Sequence, residues 1–113
     1  MKKVPATKLE EIPEPENYES LEVLADGYQI RKDVPAGSFA FLTNQADEIA
    51  AIDYICPCGC GAHGCLPIKQ DVTSGAWWRW NGDQEKPTLE PSILRKAGCR
   101  WHGYLRNGIW EEC

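Results

Sequence analysis

The stretch CPCGCG at residues 56–61 places Cys56, Cys58 and Cys60 at alternate positions of a six-residue run. Three cysteines this close together could not all form unstrained disulfides with one another, whereas their sulfurs can converge on one metal ion. Gly59 and Gly61 permit the positive φ angles and the close backbone approach that such a loop needs. This stretch therefore predicts a metal-binding loop around which a small domain folds.

A second group of metal-binding residue types lies at CRWH, residues 99–102. Zinc is usually held by four thiolate or imidazole ligands, which come as two short pairs from separate parts of the chain. Cys99 and His102 can form the second pair only if the backbone turns between them, and the flanking Gly98 and Gly103 would allow that turn. We therefore predict a closed Cys3His site that holds Zn2+ as a structural cofactor. The five candidates for its four places are Cys56, Cys58, Cys60, Cys99 and His102, and which cysteine of the first run is spare stays open.

Two other interpretations of the cysteines are weaker. An iron–sulfur cluster usually takes four cysteines with more regular C-x2-C spacing. A catalytic zinc is disfavoured because the chain lacks HExxH and lacks the H-x-E with C-x-x-C pattern of nucleotide deaminases. Cys65 and Cys113 are interpreted as incidental thiols, and His63 as an exposed loop histidine that could replace one ligand. No residue is therefore predicted to be catalytic.

Size and composition set the class of protein. The 113 residues suit one domain with one modest core, and no apolar run approaches the roughly 20 residues of a membrane-spanning helix. Prolines and glutamates near the N-terminus stand where a signal peptide would have its apolar stretch, so we expect a cytoplasmic location and no membrane contact. In that reducing compartment, clustered cysteines usually bind metal rather than form disulfides.

Short apolar stretches alternate with turn signals along most of the chain. Asp26-Gly27 and Asn107-Gly108 are dipeptides typical of two-residue hairpin turns. Strands at this spacing, without a long helical pattern, predict an all-β or β-dominated single domain, an antiparallel sheet or sandwich stapled by one zinc ion. Residues 1–19 are rich in proline and glutamate and are predicted to be a flexible acidic N-terminal arm, with the zinc-binding β domain at 20–113.

All five tryptophans lie between residues 77 and 110. Strand alternation in AWWRWNG would place Trp78 and Trp80 on one face and Trp77 and Arg79 on the other. One interpretation is that these rings cover a small core beside the zinc. The other is an exposed aromatic and basic surface that binds a partner. The residues of that predicted surface are Trp78, Arg79, Trp80, Arg100 and Trp101.

Several motifs together carry a family resemblance. They are CPCGCG at 56–61, WRWNGD at 78–83, KPTLEPSI at 86–93, CRWHGYL at 99–105 and NGIW at 107–110. Over roughly residues 50–113 the chain resembles a family of small zinc-binding proteins of bacteriophages and bacterial mobile elements, some of them labelled ammonia monooxygenase. The resemblance implies a zinc-binding β domain in which the five candidate ligands are the shared polar positions. The monooxygenase label finds no support, because that chemistry needs copper or iron sites with open positions.

The leading functional hypothesis is a non-enzymatic, zinc-stabilised phage accessory protein in the cytoplasm of an infected bacterium. It would bind a host or phage protein, for example to inhibit a host defence system. The closed metal site and the missing catalytic set motivate this hypothesis.

Two alternatives stay open. The first is a nucleic-acid-binding module, because residues 77–106 hold six basic and three acidic residues while the whole chain has a net charge of -5. The second is a zinc-dependent hydrolase, in which Asp83, Glu85, His63 or His102 would act as general base near an open coordination position. Under any hypothesis, Ser92 and Trp101 are placed beside the thiolates.

Overall fold

The computed structural model describes residues 2–12, 34–68, 77–95 and 99–113 together with the backbone of 22–23 and 29–30. The regular elements of these residues are all strands, which confirms the predicted β-dominated fold. In chain order they are β1 (Lys3–Pro5), β2 (Thr7–Lys8), β3 (Glu22–Val23), β4 (Gln29–Ile30), β5 (Ser38–Thr43), β6 (Ile49–Ile55), β7 (His63–Pro67), β8 (Arg79–Trp80), β9 (Leu89–Glu90), β10 (Ile93–Leu94), β11 (His102–Arg106) and β12 (Ile109–Glu112). The part of the chain that the structure describes has no helix able to span a membrane.

The strands form two four-stranded sheets and two short ribbons. The C-terminal sheet has the order β1-β12-β11-β10, and the central sheet has the order β2-β5-β6-β7. All pairs are antiparallel except β2 with β5, which is parallel. The ribbons are β3-β4 and β8-β9. The sheets are therefore mainly antiparallel, as predicted.

The two hairpins predicted from turn dipeptides form. β11 and β12 pair on either side of Asn107 and Gly108, whose φ angles of 52° and 74° are those that a primed turn requires. β3 pairs with β4 on either side of Asp26-Gly27, but Val23 lies opposite Gln29 and not opposite Ile30, as a two-residue turn at these positions would require; the turn itself lies outside the described residues. Turn chemistry thus predicted that both pairs of strands form, and it predicted the register only of β11 with β12.

The start of the chain belongs to both sheets rather than to a free arm. Val4 pairs with Trp110, and Thr7 pairs with Ser38 in the parallel ladder. An open sheet edge leaves N–H and C=O groups without partners, and these N-terminal residues supply them. Residues 3–5 and 7–8 of the predicted flexible arm are therefore strand residues of the two sheets, and the domain boundary at residue 19 stays a prediction. Residues 13–19 of that predicted arm lie outside the described residues.

One apolar core joins the two sheets. Phe39, Ile52 and Tyr54 of the central sheet and Leu105 and Trp110 of the C-terminal sheet are buried in it. The Tyr54 and Trp110 rings are 5.2 Å apart, and Trp110 Nε1 donates a hydrogen bond of 2.9 Å to the Gly37 carbonyl. The core thus packs β12, through Trp110, against Tyr54 near the end of β6, where the cysteine run begins.

The tryptophans divide between core and surface. Trp101 and Trp110 are buried and contact each other edge to face at 5.9 Å. Trp78 and Trp80 are half-buried against the core, whereas Trp77 is 39% exposed. The core interpretation of the tryptophans therefore holds for most of them, because large rings can cover a core of this size.

Candidate active site and metal centre

Four cysteines converge at one end of the core. The Sγ atoms of Cys56, Cys58, Cys60 and Cys99 all lie within 4.8 Å of one another. Cys56 Sγ is 3.4 Å from Cys58 Sγ and 3.4 Å from Cys99 Sγ. Four thiolates around one zinc ion would stand about 3.8 Å apart, since each Zn–S bond is about 2.3 Å. The donor set and its spacing therefore fit a single metal ion.

The CPCGCG loop forms because the chain reverses directly after β6. Cys56 N–H donates to the Ala62 carbonyl at 2.8 Å, and Gly59 and Gly61 adopt φ angles of 94° and 85°. The backbone N–H of Cys60 then points at Cys58 Sγ at 3.3 Å, and that of Ala62 at Cys60 Sγ at 3.4 Å. A metal-bound thiolate at either sulfur would accept a hydrogen bond from the N–H group that points at it.

The pKa values of the clustered thiols indicate that a bound cation would be needed for all four sulfurs to be ionised. Burial raises the pKa of the Cys56 thiol, and burial raises the pKa of Cys58 to about 11. The pKa of Cys99 is lowered; burial opposes this, but hydrogen bonds from the Trp101 backbone N–H and from the neighbouring thiols outweigh it. Four adjacent sulfurs cannot all ionise in a partly buried site unless a positive ion compensates their charge.

His102 does not join this cluster. Arg100 adopts a φ of 56°, Trp101 turns into the core, and His102 opens β11 with an exposed side chain. The nitrogen atoms of its imidazole are not among the donor atoms that converge at the cluster. The structure thus brings together all three cysteines of the 56–60 run with Cys99, so no cysteine of that run is left over.

His102 instead contacts Ser92. Its Nε2 atom lies 3.1 Å from Ser92 Oγ. Ser92 stands between β9 and β10, directly after the cis peptide bond Glu90-Pro91. The ladder of β10 with β11 pairs Leu94 with His102. Ser92 comes two residues before Leu94, so this pairing brings the Ser92 side chain close to the His102 side chain. A hydroxyl at hydrogen-bond distance from an imidazole is the arrangement of a nucleophile and its general base.

A second contact fixes the serine backbone. Trp78 Nε1 donates a hydrogen bond of 3.3 Å to the Ser92 carbonyl. Trp78 is itself held by its backbone N–H, which donates to the Pro67 carbonyl at 2.8 Å. Trp78 therefore connects the end of the central sheet to the residue that carries the hydroxyl.

Two clefts meet at Ser92, and both are lined by Trp77, Pro91 and Ser92. The first cleft has a volume of about 590 Å³ and the second about 580 Å³. The other residues of the first are Tyr54, Gly64, Cys65, Leu66, Trp78, Ile93, Leu94 and Arg95. Those of the second are Arg79, Glu90, Tyr104 and Arg106. Ser92 is thus half-buried and borders both clefts.

His63, Cys65 and Cys113, the weaker candidates for metal ligands, lie outside the four-cysteine cluster. His63 Nε2 is 2.5 Å from Asp53 Oδ1, on the neighbouring strand of the central sheet. Cys65 and Cys113 are exposed thiols outside the cluster, and burial together with the Asp53 carboxylate raises the pKa of Cys65.

The two acids proposed as general bases organise a loop. Asp83 Oδ1 accepts hydrogen bonds from the backbone N–H of Lys86 and of Glu85, and these bonds lower its pKa. The Glu85 carboxylate accepts a hydrogen bond from Lys8 Nζ at 3.0 Å. Of the predicted partner surface, Arg79 and Arg100 are exposed, while Trp101 is in the core.

Sequence reasoning missed Ser92 as a reactive group. The sequence analysis predicts only that the serine lies beside the thiolates, and the serine lacks the G-x-S-x-G context that usually marks a nucleophile. The one available signal was that PSI and WHG both belong to the set of motifs carrying the family resemblance. A serine and a histidine that lie in two such motifs are candidates for a nucleophile and its general base, even when their spacing along the chain does not indicate that they are in contact.

The fold and the site define a small β protein with a serine–histidine pair beside a four-cysteine cluster. Residues 27–113 match the family model BubE, described as the bacterial ubiquitination-like system serine protease, and the chain belongs to this family. No curated protein and no solved structure shows significant similarity to the chain.

This membership corrects the leading functional hypothesis. A non-enzymatic phage accessory protein that binds a host or phage protein is contradicted, because the family is that of a serine protease in a bacterial system. The same description contradicts the nucleic-acid-binding and zinc-dependent hydrolase alternatives. The bacterial part of the resemblance is confirmed, and the phage part stays a prediction. A closed metal site does not exclude a catalytic site elsewhere in the same fold, which is why the hypothesis fails.

Proposed function

We propose that this chain is a serine protease in which Ser92 is the nucleophile and His102 is its general base. The observation that carries the proposal is the 3.1 Å contact between His102 Nε2 and the Oγ atom of Ser92, a residue that lines two clefts. The family description supports the reaction class and suggests that the substrate belongs to a bacterial ubiquitination-like system. The bond cleaved would then be a peptide bond, or an equivalent amide, to a ubiquitin-like protein.

The contact suits both halves of acyl transfer. Ser92 Oγ attacks the scissile carbonyl while Nε2 of His102 takes the hydroxyl proton. The imidazolium then gives that proton to the leaving amine, and an ester between Ser92 and the acyl part of the substrate remains. Water, activated by the same imidazole, hydrolyses the ester and regenerates the hydroxyl. Every step uses the same serine–histidine pair.

The four cysteines would hold Zn2+ in a closed, structural site. Thiolate donors in a tetrahedral set are the ligands that zinc prefers, and the chain offers four of them. Cys99 precedes His102 by three residues, and the Trp101 carbonyl between them accepts a hydrogen bond of 2.9 Å from the Arg95 backbone N–H. The cluster would therefore hold the start of β11, and with it His102, in position against Ser92.

Covalent labelling of the purified protein with a fluorophosphonate tests the proposal. This reagent forms a stable ester only with an activated serine, so mass spectrometry should locate one adduct on Ser92. Ser92→Ala should abolish labelling and lower the hydrolysis of a C-terminally extended ubiquitin-like protein by at least about 10³-fold. Thr43→Ala, which removes an exposed hydroxyl from β5, is the matched control and should change neither. Hydrolysis that persists in Ser92→Ala would overturn the proposal.

A further inference from the structure

The two clefts beside Ser92 differ in chemistry. The first is walled mainly by apolar side chains, and two of these, Trp77 and Leu94, are large hydrophobic residues exposed at 39% and 55%. The second is lined by charged and polar groups, among them Arg79 and Arg106. A substrate that crosses Ser92 would therefore meet an apolar surface on one side and a polar one on the other.

The position of β11 indicates which side receives which part of the substrate. In acyl transfer the histidine protonates the leaving amine, so the leaving group lies on the histidine's side of the nucleophile. His102 itself lines neither cleft, but it stands on the same face of β11 as Tyr104 and Arg106, and these two residues line the second cleft, whereas none of the described residues of β11 lines the first. The second cleft is thus the leaving-group side, and the first is the acyl side.

We propose that the cleft bounded by Trp77 and Leu94 binds a large apolar side chain of the substrate on the acyl side of the scissile bond, and so determines sequence specificity. This inference rests on the proposed function. The volume of about 590 Å³ is ample for a leucine-sized or larger group together with its backbone. Exposed tryptophan and leucine beside a nucleophile gain free energy when such a group covers them, which gives the surface a reason to be apolar.

The floor of this cleft is held in one shape. Arg95 donates a hydrogen bond of 2.9 Å from its guanidinium to Tyr54 Oη. Gly64 leaves the space for both, because a Cβ there would come within 2.6 Å of the Arg95 guanidinium and of the Tyr54 ring. Rigid walls lower the entropic cost of binding, so the cleft can discriminate between side chains.

Peptides that differ only in the residue on the acyl side test the inference. With one amine leaving group throughout, a leucine peptide should exceed a serine peptide in kcat/KM by about ten-fold or more, the selectivity typical of an apolar pocket. Leu94→Ser and Trp77→Ala should each reduce that ratio towards one. Leu42→Ser, which removes another exposed leucine at 40% exposure on β5, is the matched control and should keep it. A ratio that is unchanged in Leu94→Ser and Trp77→Ala would overturn the inference.

A binding measurement separates this inference from the proposed function. In the Ser92→Ala background, the acyl product, an acetylated peptide ending in leucine, should bind at least about ten-fold more tightly than its serine counterpart. Leu94→Ser should remove the difference and Leu42→Ser should keep it. Failure of the proposed function would appear as the absence of fluorophosphonate labelling at Ser92. The binding measurement does not depend on catalysis, so it tests the inference in either case. Equal binding of the two peptides would overturn the inference even if Ser92 is the nucleophile.

Discussion

The Oγ atom of Ser92 lies 3.1 Å from the Nε2 atom of His102, although ten residues separate them in the chain. The two are brought together by the β10–β11 ladder, in which Leu94 is the partner of His102. Strand β11 begins three residues after Cys99, which is the member of the four-cysteine cluster that comes from outside the CPCGCG loop. One member of the candidate catalytic pair, His102, and one member of the cysteine cluster, Cys99, therefore stand at the two ends of one four-residue segment, so we expect loss of a metal at Cys99 to loosen the position of His102.

His102→Asn separates the role of base from the role of ligand. Loss of the imidazole should lower kcat/KM by about 10²–10⁴-fold, the contribution of a positioned general base. The metal content should stay the same, because the cluster consists of four cysteines. Peptide hydrolysis and elemental analysis on the same preparation measure both. Loss of the metal in this variant would instead indicate that the His102 imidazole is a metal ligand.

Trp78→Phe should slow the reaction without unfolding the protein. The substitution keeps an aromatic ring but removes the N–H that donates to the Ser92 carbonyl, so the serine is held less firmly. One such hydrogen bond is worth about 1 kcal/mol, and we expect kcat/KM to fall about five- to ten-fold. Trp80→Phe is the control, because its indole donates to the Asp83 carbonyl instead. An equal loss in both variants would argue against a positioning role for Trp78.

Cys99→Ser should cause loss of the metal and, as a consequence, loss of activity. A structural zinc site contributes about 10–16 kcal/mol of apparent binding free energy, so its loss should lower the melting temperature markedly. Hydrolysis should fall as well, since the start of β11 is no longer tied to the CPCGCG loop. A strong chelator should reproduce both effects in the unmodified protein.

Cys65→Ser and Cys113→Ser are the controls for this prediction, because both thiols lie outside the cluster. Each should keep the metal content and the melting temperature of the unmodified protein. A Cys99→Ser protein that still holds one metal ion per chain would show that the four sulfurs are not a ligand set.

Gly103→Ala should destabilise the sheet beside the site. A Cβ at this position would overlap the Glu111 carbonyl oxygen and come within 2.6 Å of the buried Trp101 ring, and neither can move freely. Overpacking of this kind costs about 1–3 kcal/mol in the free energy of unfolding, which denaturant titration measures. Gly82→Ala is a contrasting control: its Cβ meets nothing within 4 Å, and only its positive φ of 85° carries a cost. We expect the loss at position 103 to exceed the loss at position 82.

The strand content was predictable because its signals are local. Apolar stretches bounded by Asp26-Gly27 and Asn107-Gly108 indicate hairpins whatever the rest of the chain does. The docking of residues 3–8 was not predictable in this way. Their composition resembles that of a free arm, and only the unpaired edges of β12 and β5 give them partners.

The spacing of the cysteines by itself predicted that the sulfurs of residues 56–60 converge, because three thiols so close together cannot all form unstrained disulfides with one another. Only the tertiary structure decided that Cys99 completes the cluster and that His102 lies instead against Ser92. Cys56 and Cys99 are 43 residues apart, and the Ser92–His102 contact depends on the register of β10 against β11. A slip of one residue in that register would point either side chain to the opposite face of the sheet, so the chemistry of the site is a property of the assembled ladder.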